Sequence, residues 1–97
     1  MLSFTDRMNA KKELQENYKR LEMDERSILH ELRISSYEFH AVLNMKNEDP
    51  ILAWVVRDYL EEKLTEQGKE VFPFTTFDES NERSWYESNI SFEKEII

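Results

Sequence analysis

The stretch that decides the fold is residues 24–45, DERSILHELRISSYEFHAVLNM. It reads as two short helices joined by a tight turn. Asp24 suits the N-cap of the first, and Met23 before it is placed to staple onto Ile28. Ile28, Leu29 and Leu32 fall on one inward side, and the segment ends near Arg33. The second helix opens on an S-x-x-E capping box, Ser35 and Glu38, with apolar Ile34 ahead of it. Phe39, Val42 and Leu43 face inward, which leaves Ser36, Tyr37, His40, Ala41 and Asn44 mostly outside. Two helices joined this tightly must bury a shared wedge of apolar residues, and Ile28, Leu32, Ile34, Phe39 and Val42 fill every slot of it. The pattern predicts a helix-turn-helix unit. Arg33 stands where such turns usually carry Gly, so it is expected in a left-handed or otherwise tight conformation. Leu29 stands where a small Ala is common.

The flanks complete a bundle. A first helix is predicted from Ser3, which has capping-box spacing to Asp6; Ala10, Leu14, Tyr18 and Leu21 form its buried stripe. Glu13, Glu16, Lys12, Lys19 and Arg20 then read as solvated charge. A linker over residues 46–49 leads to the longest helix, capped by Asp49, started by Pro50 and stopped by Gly68. Its main apolar face is Leu52, Val56, Tyr59 and Leu60. Ile51 and Trp54 lie on the opposite arc, so the start of this helix is apolar all round and must touch something on both sides. The last segment, residues 69–97, holds half of the aromatics. Phe72-Pro73-Phe74 reads as extended chain. Asp78 to Arg83 reads as a polar turn, and Tyr86, Ser88, Ile90 and Phe92 alternate as in a short strand. The fold expected is all-α: a four-helix bundle over residues 1–68 with an extended, aromatic-rich C-terminal tail over 69–97, folded back as an irregular β-hairpin. The two parts make a single domain.

Composition narrows the function classes. Ninety-seven residues suit one domain with a modest core, often steadied by a partner subunit. Apolar residues make up 39% and charged residues 35%, yet twelve aromatics argue against disorder. The absence of Cys excludes a disulfide framework, a thiolate metal site and a cysteine nucleophile. No apolar run reaches signal-peptide or membrane-span length, which makes the cytoplasm the expected location. The net charge of −8 is uneven: residues 1–34 are neutral, and residues 35–97 carry all of it. Such an acidic body repels nucleic acid unless a local basic face overrides it.

If the unit reads DNA, its second helix does so. Asn44 has the chemistry for adenine, Ser36 and Tyr37 for phosphate, and His40 shares that face. Arg26, Arg33, Lys46 and the first-helix bases Lys11, Lys12, Lys19 and Arg20 are placed to grip phosphates. Against this, no Lys or Arg lies between Ser35 and Met45, so the commonest base contact, Arg on guanine, is missing. The alternative is an acidic protein-interaction module that uses the same scaffold, with Ile51, Trp54, Phe72, Phe74 and Trp85 as its contact surface. Duplex DNA and a second copy in a homodimer are the expected partners; no membrane, small-molecule ligand or cofactor is expected.

Other chemistry is thin. His30 and His40 fall on different helices without the further ligands a metal site needs. Asp58, Glu62 and Glu66 recur every four residues and read as a solvated acidic stripe. Asn89-Ile90-Ser91 matches a glycosylation sequon by chance, and the single glycine rules out a Gly-rich phosphate loop. No catalytic constellation emerges, and no enzyme is expected.

The runs KELQENYKRLEM and DPILAWVVRDYLEEKLTEQGKE with the following PFT resemble an uncharacterised bacterial family of unknown function. The most specific part is Arg57 to Lys63 followed by Glu66 to Glu70. That family is similar in pattern to the lambda-repressor-like helix-turn-helix group, which implies a fold and a regulatory role but no activity, substrate or site residue.

Overall fold

The computed structural model describes residues 3–47 and 49–77. Within them the chain is all-helical: α1 spans Phe4–Leu21, α2 Glu25–Leu32, α3 Ser36–Leu43 and α4 Pro50–Glu66, with no strand among the described residues. The predicted strand and turn over residues 78–92 lie outside the described residues, as does Trp85.

Local chemistry sets the helix starts. Ser3 and Asp6 form a reciprocal capping box on α1, and Ser35 and Glu38 do the same on α3. Each box satisfies two backbone N–H groups that have no partner inside the helix. Asp49 accepts from the Ile51 N–H at 2.9 Å, with Pro50 in the first turn. Asp24 departs from expectation: it holds the N-cap position of α2, but its side chain makes no capping bond.

The ends share one device. Glu22, Arg33, Met45 and Gly68 follow the four helices, and each has a positive φ, between 54° and 71°. At three of them the chain doubles back in the same way. The Ile34, Lys46 and Lys69 N–H groups bond the carbonyls of Leu29, Ala41 and Leu64. This closes the last carbonyls of α2, α3 and α4. The sequence supplies Gly at only one of the four positions, so the other three residues hold a left-handed backbone that L side chains disfavour.

The core joins all four helices. Ala10, Leu14 and Leu21 of α1 meet Ile28, Phe39, Val42 and Leu43, with Val56, Leu60 and Leu64 of α4 beneath. Tyr18 packs edge-on against Phe39 at 5.2 Å between ring centres. Leu32 and Ile34 are half-buried against this cluster.

Residues 69–77 run back along α1 and α4. Lys69 Nζ donates to the carbonyls of Arg20 and Leu21, 2.8 and 3.3 Å away, which places the C-terminal ends of α1 and α4 side by side. Farther along, the Phe72 backbone N–H donates to Asn17 Oδ1, and the Phe72 carbonyl accepts from Asn17 Nδ2. Glu13 accepts from the Thr75 hydroxyl at 2.7 Å and from the Thr76 N–H at 3.3 Å. Phe77 then meets Trp54 near the start of α4, ring centres 5.4 Å apart. Glu13 is thus not the solvated charge its position on the helix suggests: it is only 5% exposed. A buried carboxylate must be hydrogen-bonded, and the threonines of the returning chain do this.

Candidate functional site

The exposed surface of α2 and α3 is organised by Glu25. Its carboxylate accepts from the Ser36 hydroxyl at 3.2 Å and lies 2.6 Å from His40 Nε2. Two residues proposed for the DNA-reading surface, Ser36 and His40, are therefore in one place and already engaged with an acid from the neighbouring helix. The α3 N-terminus, where orphan N–H groups favour an anion, already has the Glu38 and Glu25 carboxylates beside it.

The other candidates fall around this centre. Tyr37 is 84% exposed on the first turn of α3. Beside it is a hollow of about 310 Å³ lined by Glu38, Ala41, Lys46, Asn47, Asp49 and Leu52. Arg26 and Arg33 are exposed, and Arg33 takes the left-handed conformation the sequence implied, φ 57° and ψ 45°. Asn44 is committed elsewhere: its Nδ2 donates to the His40 carbonyl at 2.8 Å, and its Oδ1 accepts from Gln15 Nε2 at 3.3 Å. An adenine would need both of those amide groups.

The apolar candidates divide. Ile51 is 58% exposed on α4, with Val55 one turn on also exposed. Trp54 is half-buried against Phe77. Phe74 is buried against Phe77 and beneath the Arg57 guanidinium, 5.0 Å from its ring centre. Phe72 is half-buried under Arg20, which lies 5.3 Å from its ring centre. Phe72 and Phe74 are thus largely used within the protein.

Sequence reasoning missed a further polar network. The Tyr59 hydroxyl donates to Glu31 Oε2 at 3.0 Å, and Lys63 Nζ lies 3.2 Å from Glu31 Oε1. These contacts tie α2 to α4. Burial pushes the Tyr59 phenol far above its ordinary range, aided by the bond to Glu31 and its charge. Glu31 is held below the usual carboxylate value by the bond from Tyr59 and then by that from Lys63. No sequence motif marks this set, since its members come from two helices and pair only through packing.

Among the described residues no group of three or more His, Asp or Glu side chains is arranged to hold a metal ion. Nor is any described helix long and apolar enough to cross a membrane. The sequence profile of a family described as "Uncharacterized protein conserved in bacteria (DUF2316)" matches residues 1–87. The chain belongs to this family. No curated protein and no solved structure matches it.

Proposed function

We propose that this DUF2316 protein is a DNA-binding, regulator-type protein in which α2 and α3 form a helix-turn-helix unit. One observation carries the reading. Two eight-residue helices turn Ile28, Phe39 and Val42 into one core cluster and are joined across Arg33, which adopts the conformation a turn glycine would supply. The outward face of α3, with Ser36, Tyr37 and His40, is left exposed. In this reading α3 lies in the major groove, and Arg26 and Arg33 hold phosphate on either side. Binding as a homodimer would present two such helices, with exposed Ile51 and Val55 available for the subunit contact.

Glu25 sets the expected behaviour. It puts negative charge on the face that would meet phosphate, so the wild-type protein binds weakly and only at low salt. Glu25→Gln removes that charge and keeps an acceptor for Ser36. A unit charge about 4 Å from a phosphate in water contributes ~1 kcal/mol, so affinity should rise about fivefold. Mobility shift with duplex DNA at low ionic strength measures this. No binding by either protein under those conditions rejects the reading.

A protein-interaction module is the second reading. It is favoured by exposed Tyr37 beside a hollow of side-chain size, and by the engagement of Ser36, His40 and Asn44. It predicts that Tyr37→Ala weakens partner capture while DNA binding is absent from the start.

A further inference from the structure

The outer face of α1 carries a groove of about 550 Å³ lined by Met8, Lys11, Lys12, Gln15, Glu16, Lys19 and Phe72. Its floor is apolar, from Met8 and Phe72. Its walls are basic. Among the described residues, Lys11, Lys12 and Lys19 are in no ion pair, as is true of Arg7, Arg26, Arg33 and Lys46, whereas Lys63, Lys69, Arg20 and Arg57 each have at least one; the groove is where three such bases lie together. The single acid in the wall, Glu16, lies 3.6 Å from Arg20. Three uncompensated lysines on a protein with a net charge of −8 call for an acidic occupant.

We propose that this groove receives residues 78–97 of the same chain. Three observations favour that occupant. The segment holds six acidic side chains and two basic ones, with three of the acids, Asp78, Glu79 and Glu82, at its start. It also brings Trp85, Tyr86 and Phe92, which suit an apolar floor between cations. Finally, the described chain runs past the groove, lining it at Phe72 five residues before the described residues end at Phe77. Thr75 lines a smaller hollow together with Lys12 and Phe72, and those two residues also line the groove. Twenty residues at about 3.3 Å each exceed what is needed to run along a helix of α1's length. The inference needs neither α2 nor the outward face of α3, but it gives Lys11, Lys12 and Lys19 an occupant other than the phosphates the sequence offered them.

The chain has no cysteine, so Ser84→Cys in the full-length protein gives one attachment point for a nitroxide label. Paramagnetic broadening of backbone amides is then read by NMR. The expected result is broadening at Met8, Lys11, Lys12, Gln15 and Lys19 that vanishes in 1 M salt, where the Debye length is about 3 Å. It should fall to background in Lys11→Glu/Lys12→Glu/Lys19→Glu. It should return when Asp78, Glu79 and Glu82 are changed to Lys in that triple variant. Circular dichroism on each variant confirms that the helices persist. Broadening that misses the groove, or survives the triple charge reversal, overturns the proposal. So does broadening seen only between labelled and unlabelled molecules in a mixed sample, which would make a second copy the occupant.

Discussion

Arg33 shows what a single backbone choice costs here. Its φ of 57° lies in the region that L side chains avoid, and its role is to reverse the chain between α2 and α3. A non-glycine residue there stores about 1 kcal/mol of strain, less what glycine would lose in unfolded-state entropy. Arg33→Gly should therefore stabilise the protein by about 0.5 kcal/mol, or raise its Tm by about 2–4 °C for a domain of this size. Met45 and Glu22 have the same backbone but are poorer tests. Met45 is buried in the core, and Glu22 pairs with Lys69 at 3.4 Å. If thermal denaturation places Arg33→Gly below the wild type, the side chain and the lower unfolded-state entropy together outweigh the strain. Arg33 is also a proposed phosphate contact, so the same variant should bind DNA less well while being more stable. A rise in stability with unchanged DNA affinity would remove Arg33 from the proposed interface.

At the scale of elements, local patterns were legible and distant pairings were not. The caps of α1, α3 and α4 depend on residues two or three apart, Ser3 with Asp6, Ser35 with Glu38 and Asp49 with Ile51, so they can be read directly. The wedge follows from helical periodicity. Glu13 and Asn17, by contrast, find partners 55 to 63 residues away, and nothing near them in sequence announces burial. The same is true of the Glu25 pairing with His40, fifteen residues on, which alters the chemistry of the candidate surface. The α2–α4 network is a third case, and it has a pH signature. Tyr59 and Lys63 have folded pKa values raised above 10.0 and 10.5, so their contribution is complete at neutral pH and is lost as pH rises past about 10. Glu31 is lowered from 4.5, so its contribution is present above that value and is lost as pH falls through its folded pKa. Urea midpoints should be flat from about pH 6 to 9 and drop on both sides. In Tyr59→Phe the alkaline drop should be shallower, and Glu31, without its first donor, should lose less on the acid side. Superimposable pH profiles for the two proteins would show that the network does not link α2 to α4 energetically.

For the molecule as a whole, the question is whether residues 69–77 belong to the cooperative unit or only lie on it. The answer turns on Asn17. Its side chain is fully buried, and it makes three bonds at once: Nδ2 to the Glu13 and Phe72 carbonyls at 2.8 and 2.9 Å, and Oδ1 from the Phe72 N–H at 2.8 Å. An amide meets the backbone donor and acceptor of Phe72 as a neighbouring strand would. Removing it leaves both groups without a partner in a partly dry site, at about 1–3 kcal/mol each if they stay there. The chain has a cheaper response, which is to lift residues 70–74 into water. That would expose Phe74 and uncover part of α4, a loss of about 1.5–3 kcal/mol for one large apolar side chain. Asn17→Ala should accordingly cost about 2–3 kcal/mol, the cheaper route setting the limit. Hydrogen exchange separates the routes. If the segment is integral, the Phe72 amide in the wild type exchanges only with global unfolding, at the same free energy as the core amides of Leu14 and Leu60. Asn17→Ala then lowers all three together. If the Phe72 amide instead exchanges far faster than Leu14 in the wild type, the segment opens by itself. The core of α1 through α4 would then be the folding unit, and Asn17→Ala would leave the exchange of Leu14 unchanged.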